Sequence, residues 1–399
     1  MTAITLTPYT QGRFTFVTGP VNSDKAGILE TTLNAAKGSG YITKDNILVF
    51  RHPKDSPQPE YLGTHRVTRV TSSVDEILEG IRPKTRTVFI AGISLYDQEV
   101  VTLVDALVRS DRNVIATGTN LDVRGGPFGH NAELMALVDN VILAKAVCSD
   151  ERCDDSYANR SVFRDSSYKA VCTHHYHFPL SPPLSRGDMG SLTLDVGPMF
   201  SGKTTAWERK LKLVRAQNKE PIVLKPLKDK RYGQQQGKVG DVSYITLHSG
   251  GKIPALNVRN ISDLMGILSE APRSRYVFLE EAQFIRRLYK ATFELLSQGY
   301  LLFYAGLARG FNRRPFNDIP KLMCLADVVE MHYATCVKCG HPAPESQRIK
   351  EIDGQRIPAS YDDPLELPGG IEGYEARCLA HWELPREPPN KYALERYSL

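Results

Sequence analysis

The 399-residue chain is long enough for two domains with full cores, and 41% hydrophobic with 24% charged residues is an ordinary globular balance. No apolar run reaches the roughly eighteen residues of a membrane span, which excludes a transmembrane helix. The net charge of +5 suits anionic small molecules such as nucleotides, but it is too dispersed to point to nucleic acid.

Met1 to Arg13 is a polar lead without the apolar stretch of a signal peptide. Seven cysteines without such a signal favour metal binding in a reducing compartment over a disulfide framework, so a cytoplasmic setting is expected. The first ordered stretch reads Phe14-Thr15-Phe16-Val17-Thr18, a strand, followed by Gly19-Pro20-Val21-Asn22-Ser23-Asp24-Lys25-Ala26. Buried strands follow at 47–50, 87–92 and 114–118, with a helical stretch from Val100 to Arg109. Cys148-x₄-Cys153 and Cys172-x-x-His175 then form a Cys₃His set suited to Zn²⁺, with His174 and His177 as alternative ligands. A Pro/Ser-rich stretch over 178–187 reads as a linker.

After the linker the pattern repeats with more of its chemistry intact. The strand Leu192–Val196 runs into Gly197-Pro198-Met199-Phe200-Ser201-Gly202-Lys203-Thr204, and a helix follows from Ala206 to Gln217. Strand, G-x-x-x-x-G-K-[ST] and helix together make a phosphate-binding loop. Its amides turn towards phosphate oxygens, Lys203 brings positive charge, and the Thr204 hydroxyl can bind Mg²⁺. The strands at 47–50, 87–92 and 114–118 recur at 222–225, 276–281 and 302–306, and Tyr168, Cys172 and His175 recur as Tyr374, Cys378 and His381. Glu280-Glu281 closes the third strand, where one carboxylate can serve Mg²⁺ and the other act as general base. Alternation along a strand is expected to point the two apart. Cys336-x-x-Cys339 and Cys378-x-x-His381 form a second Cys₃His set with knuckle spacing, a closed structural zinc site. Cys324 reads as core. Strands alternating with helices in both halves predict an α/β fold, a mostly parallel sheet in each half.

The second half resembles the zinc-containing thymidine kinases. The residues that carry the resemblance are the loop at 197–204, Asp229-x-Arg231-Tyr232, His248-x-Gly250, Glu281-Ala282-Gln283-Phe284 and Ala305-Gly306-Leu307. Further matches are Phe311, Pro315-Phe316, Leu325-Ala326-Asp327, the two zinc pairs, Ser346-Gln347-Arg348 and Gly369-Gly370-x₃-Tyr374. The resemblance implies two tandem P-loop kinase domains, each with an appended zinc-ribbon-like lobe. It implies phosphoryl transfer from ATP to the 5′-hydroxyl of thymidine, with Glu281 as catalytic base. It places residues 197–204 with Asp229, Arg231, Glu280 and Gln283 on the ATP side, Thr204 and Glu280 serving Mg²⁺. Met199, Phe284, Leu307, Phe311, Phe316 and Ser346 belong to the nucleoside side, where Tyr374 and the main chain from Leu365 to Gly369 close over the base. ATP, Mg²⁺ and Zn²⁺ are the implied cofactors and thymidine the partner. A dimer of tandem chains, imitating a tetramer, is the implied assembly.

The chain departs from the family pattern at Glu280, Ala308 and Leu379, where aspartate, aspartate and arginine are usual. The first half resembles the same domain with its chemistry removed. Asp24 puts negative charge at the phosphate, Ala26 removes a Mg²⁺ ligand, and Ala91-Gly92 replaces the acidic pair. The expected organisation is therefore an inactive copy over 1–178, a linker over 179–189, a working copy over 190–382 and a tail over 383–399. The departures also motivate an alternative, a nucleotide-binding regulatory protein with little turnover.

Overall fold

The structure, a computed structural model, describes residues 11–38, 46–57, 60–62, 65–151, 153, 158–179, 189–228, 238–247, 250–271, 274–366 and 373–396. Asp229, Arg231, Tyr232, His248, Gly369, Gly370 and linker residues 180–188 lie outside the described residues. The chain divides into two compact units, one drawn from residues 1–183 with 388–399 and the other from residues 184–387.

In the first unit the strands are β1 (Phe14–Gly19), β2 (Ile47–Arg51), a short hairpin of β3 (Tyr61–Leu62) and β4 (His65–Arg66), then β5 (Arg69–Val70), β6 (Thr87–Ala91), β7 (Asn113–Thr119) and β8 (Asn140–Leu143). Six of them form one sheet in the order β5-β2-β6-β7-β1-β8, and every pairing in it is parallel. Parallel strands need crossovers, which helices α1 (Lys25–Gly38), α2 (Val74–Gly80), α3 (Glu99–Arg109) and α4 (Asn131–Leu137) supply. Val100, Leu103, Val104 and Leu107 recur at helical spacing and bury one stripe of α3. β1 is buried along its whole length, as a central parallel strand must be. A hairpin of β9 (Arg160–Arg164) and β10 (Ser167–Val171) leads to the short helix α5 (Thr173–His177).

The second unit repeats the scheme. Its main sheet comprises β11 (Ser191–Val196), β12 (Ile222–Pro226), β13 (Val242–Thr246), β14 (Lys252–Val258), β15 (Tyr276–Leu279), β16 (Leu301–Gly306) and β17 (Val328–Met331). The order is β13-β14-β12-β15-β16-β11-β17, with only β13 antiparallel. Apart from β13 this is the strand order of the first unit. Helix α6 (Lys203–Ala216) lies on β11 and β16, while α7 (Ile261–Glu270), α8 (Leu288–Ser297) and α9 (Ile319–Leu325) complete the crossovers. Trp207 fills the space under α6 with its ring edge-on to Phe278, centroids 5.5 Å apart, and its Nε1–H donates to the Phe303 carbonyl. The lobe that follows holds β18 (Ala334–Thr335) paired with β19 (Pro342–Ala343). Its second sheet is β20 (Glu345–Ile352), β21 (Gln355–Pro358) and β22 (Tyr374–Arg377), in the order β21-β20-β22.

Sequence reasoning gives no account of the tail after 382, and the structure supplies one. Residues from Pro388 onwards belong to the first unit. Tyr392 is buried there, and its hydroxyl meets Glu99 at 2.8 Å and Asp75 at 3.2 Å. Asn390 donates to the Thr102 carbonyl at the same face.

Candidate active site and zinc centres

Strand order decides where a ligand can bind. β11 lies between β16 and β17, so the chain after Val196 turns at the carboxyl ends of the parallel strands, the usual ligand edge of such sheets. The loop there takes left-handed backbone at Phe200 (φ 65°) and Gly202 (φ 81°), and α6 begins at Lys203. Left-handed residues in succession with right-handed ones aim amides into one concavity, a nest for an anion. Inside it the buried Ser201 hydroxyl has no hydrogen-bond partner. An orphaned hydroxyl in a ring of amides fits a phosphate group. The Lys203 ammonium folds back on the Pro198 carbonyl at 2.6 Å.

The first unit's loop is built on the same plan and closed on itself. Asn22 matches Phe200 in position and in its left-handed backbone (φ 58°). Asp24, standing in the place of Gly202, instead accepts the Gly27 amide at 3.1 Å. Its carboxylate therefore takes the helix-start amide that an anion would use. The Ser23 hydroxyl donates to the Pro20 carbonyl and accepts from Lys25, so no group is left over. Burial, partly opposed by Asp55, brings the Lys25 ammonium down to about 8.

Beyond the second loop the carboxylates of Glu280 and Glu281 are both buried. Thr204 Oγ1 donates to Glu280 Oε1 at 3.0 Å, so the hydroxyl and carboxylate expected to serve Mg²⁺ are already together. That oxygen-only donor pair suits a hard cation. The two carboxylates meet different partners, and the strand alternation expected to point them apart does not apply. β15 ends at Leu279, and Glu281 has left-handed backbone (φ 51°). Left-handed backbone in a bulky residue is strain of the kind that collects at functional sites. Gln283, fully buried, donates to Glu281 Oε2 and accepts the Leu307 amide at 3.2 Å. It thereby joins the Glu281 carboxylate to the loop after β16.

The matching turn of the first unit keeps the backbone and drops the acid: Gly92 is also left-handed (φ 75°). A Cβ on Gly92 would meet the Asp55 Cβ at 2.7 Å, and Asp55 is held there by Arg51 at 2.8 Å.

The residues expected to line the nucleoside side do come together in part. Phe284 and Phe316 meet edge-on with centroids 5.9 Å apart. Leu365 lies against Gly310, where a Cβ would come within 2.0 Å of its Cδ1. Phe311 is buried, with the Arg348 guanidinium 5.2 Å from its ring and the Trp382 indole donating to its carbonyl. Arg348 pairs across the lobe sheet with Tyr374, whose phenol burial pushes up. Ser346 Oγ accepts the Met199 amide at 2.9 Å and so ties the phosphate loop to β20. The first unit has the same tie, the Val21 amide donating to Ser161 at 3.1 Å.

Three supports escape sequence reasoning. Glu345, buried, bridges Arg309 at 2.9 Å and Arg313. Asn317 Nδ2 spans the Gln283 carbonyl at 2.7 Å and Glu366 at 3.2 Å. Glu366 also pairs with Lys228 at 2.9 Å. Each links segments far apart in sequence; Asn317's left-handed φ of 49° sits on a residue type that favours it, the one local signal.

Both cysteine sets assemble. The ligand atoms of Cys336, Cys339, Cys378 and His381 lie within 4.8 Å of one another, as do those of Cys148, Cys153, Cys172 and His175. Cys339 and Cys378 sulfurs are 3.6 Å apart, those of Cys153 and Cys172 3.9 Å. Four ligands at Zn–S distances of about 2.3 Å give such edges in a tetrahedron. Each histidine turns Nδ1 to the cluster, at 3.2 Å from Cys378 and from Cys172 respectively. His175, and neither His174 nor His177, completes the first set. Hydrogen bonding from Cys172 leads the effects that bring the Cys148 thiol down to about 5, and Cys172 itself is pushed up by that pairing. Burial opposes ionisation of Cys336, yet the amides of Cys378, Lys338 and Cys339 help bring it down to about 6. Thiolate character at each cluster suits Zn²⁺. Cys324 is buried in α9, apart from both.

Fold and sites together define a nucleotide-binding protein of the P-loop class, each unit carrying a Cys₃His set that could hold zinc. The chain belongs to the thymidine kinase family, which it matches twice, over residues 12–176 and 190–382. It is 38% identical over 197 residues to a thymidine kinase of Coprothermobacter proteolyticus, covering 49% of this chain and 92% of that one. It is 35% identical over 206 residues to a thymidine kinase of Deinococcus deserti, covering 49% of this chain and 96% of that one. Among the described residues no helix is long and apolar enough to cross a membrane.

Proposed function

We propose that the second unit transfers the γ-phosphoryl group of ATP to the 5′-hydroxyl of thymidine, and that the first unit is catalytically silent. The observation that carries this reading is the contrast between the loops. One leaves Ser201 unpartnered beside left-handed Gly202, whereas the other is satisfied by Asp24 and Ser23. Lys203 and the loop amides hold the phosphates, and the resemblance assigns Asp229 and Arg231, outside the described residues, to the same role. The Glu281 carboxylate takes the proton of the 5′-hydroxyl as its oxygen bonds to the γ-phosphorus and the bond to ADP breaks. Thr204 and Glu280 hold Mg²⁺, which when bound supplies charge neutralisation at the transferring group. Phe284, Phe311, Phe316, Leu307, Met199 and Tyr374 shape the nucleoside side, to which the resemblance also assigns the main chain from Leu365 to Gly369.

The test is steady-state formation of thymidine monophosphate by the purified chain with ATP and Mg²⁺. Thr204→Ala is expected to lower kcat by about 10²-fold through loss of metal placement, while Lys25→Ala leaves it unchanged. Equal loss in both variants would assign the chemistry to the wrong loop. Ala308 and Leu379, buried where the family has charged residues, favour the regulatory alternative. ADP and thymidine binding without any turnover in the unmodified chain would decide for it.

The first unit is not one substitution from activity. In a Glu281→Ala background, Gly92→Glu is expected to restore no phosphoryl transfer, because Asp55 occupies the space beside Gly92. Its first-unit melting transition falls instead, read by calorimetry. Recovered activity would show that the first unit lacks only its acid.

A further inference from the structure

Asp195 is fully buried, two residues before the phosphate loop. Lys210 Nζ meets both its oxygens at 2.8 and 2.9 Å and Glu330 Oε2 at 2.9 Å, and His332 Nε2 meets Asp195 Oδ1 at 2.8 Å. Asp195, Glu330 and His332 have the spacing of metal ligands, but the Lys210 ammonium already supplies the cation. Lys210 stands on α6, the helix that leaves the loop; β11, which carries Asp195, enters it. His332 is held twice more beside the loop. Its amide donates to the Val196 carbonyl at 2.7 Å, and its own carbonyl abuts Gly197, where a Cβ would come within 2.4 Å.

The chain contains its own control. In the first unit Val17 faces Ile142 across β1 and β8, as Asp195 faces Glu330 across β11 and β17. Gly19 abuts the Ala144 carbonyl as Gly197 abuts that of His332. Val17 and Ala144 belong to an apolar cluster against which Ile142 packs. Thr32, in the place of Lys210, bonds back to the Ile28 carbonyl of its own helix. The same backbone therefore forms with no charges at these positions. Burying ions costs desolvation that apolar packing avoids, so stability does not account for the charged set. It accompanies the open phosphate loop, and the apolar set accompanies the closed one.

We propose that Asp195 is a positioning residue for the phosphate loop, acting through Lys210 and His332. This rests on reading the second unit as the phosphoryl-transfer site. Apolar side chains let a helix slide by small steps, whereas a charge-assisted contact at both carboxylate oxygens fixes register and direction. The carboxylate holds β11, α6 and the start of the segment after β17 in one geometry. The loop amides and Lys203 then converge on one set of phosphate oxygens without rearranging.

The experiment installs the first unit's set in the second: Asp195→Val with Lys210→Thr, Glu330→Ile and His332→Ala. The variant is expected to keep its zinc and its melting temperature, to bind ADP about tenfold more weakly, and to lose kcat by up to about 10²-fold. KM for thymidine stays unchanged, a split that general destabilisation would not give. Asp195→Asn, which keeps the shape, tests the same point should the fourfold variant not fold, with ADP affinity falling in the same sense. Lys210→Arg, which keeps charge and donors, retains most of the affinity. Wild-type ADP affinity and kcat in the folded fourfold variant, or in Asp195→Asn, would overturn the proposal. ADP binding by calorimetry needs no turnover. An unmodified chain that makes no thymidine monophosphate therefore sinks the proposed function, while the ADP comparison still decides this inference.

Discussion

Glu281→Ala is expected to lower kcat for thymidine phosphorylation by about 10³-fold, the scale of a lost general base, with zinc content and fold retained. The expectation rests on the carboxylate's setting. Glu281 is nearly buried, turned out of the strand by its left-handed backbone, and oriented by the Gln283 amide. A base placed this way is ready before substrate arrives. Its backbone also makes a second, linked expectation. Alanine keeps the Cβ that crowds left-handed backbone, so Glu281→Ala does not relieve the strain, but Glu281→Gly does. Glycine should be the more stable of the two variants by roughly 1 kcal/mol, and equally inactive. That is the arrangement the first unit already has at Gly92, left-handed at φ 75°. On the proposed reading, the first unit has given up the acid and the strain together. Steady-state kinetics and thermal unfolding of the two variants check both parts. A Glu281→Ala chain that still makes thymidine monophosphate at near the original rate would remove Glu281 from the mechanism.

Much of this was legible in the sequence because it is local. A phosphate loop is eight consecutive residues, Gly197 to Thr204, between a strand and a helix, and a knuckle is a pair of ligands a few residues apart. The repeat could be found because both copies keep their strands and knuckles in register. The fold followed from strands alternating with helices, and the equivalent strand orders of the two sheets agree with it. What was not legible depends on residues distant in sequence. Nothing near Ser346 predicts that its hydroxyl takes the Met199 amide, and nothing near Asp55 predicts that it fills the space beside Gly92. The strand alternation expected to point Glu280 and Glu281 apart does not apply. Alternation along a strand requires the strand to continue, and this one ends at Leu279. Asp195, the charged residue of β11, carried no reading in the sequence. Its meaning needed the partner strand and the helix above it, and the apolar counterpart in the other unit.

Loss of the second zinc site is expected to abolish thymidine binding while leaving ADP binding largely in place. Among the described residues the apolar cluster around the zinc ligands is small: Ala334, Ala343 and Ala376 pack with Cys336 and Cys378, and no large apolar side chain belongs to it. Burial on this scale cannot offset the ordering of the lobe's chain. Zinc contributes roughly 10–16 kcal/mol of apparent folding free energy in the smallest metal-held domains, so zinc bound at these ligands would decide whether this lobe is ordered. β22 carries Tyr374 and ends at Arg377, next to the ligand Cys378, while its partner β20 carries Ser346 and Arg348 and, through Glu345, holds Arg309 and Arg313. Releasing the ligands therefore releases the wall of the nucleoside side. The phosphate loop, set on β11 and α6 in the main sheet, keeps that support and loses the Met199–Ser346 hydrogen bond. In Cys378→Ser, bound zinc should fall from two per chain to one, thymidine binding should vanish in calorimetric titration, and ADP affinity should weaken by less than about tenfold, the scale of one hydrogen bond. Cys172→Ser should also remove one zinc but leave thymidine binding intact, since its cluster is in the other unit. If Cys378→Ser kept two zinc ions, or lost one and still bound thymidine normally, the lobe would not be the metal-held wall described here.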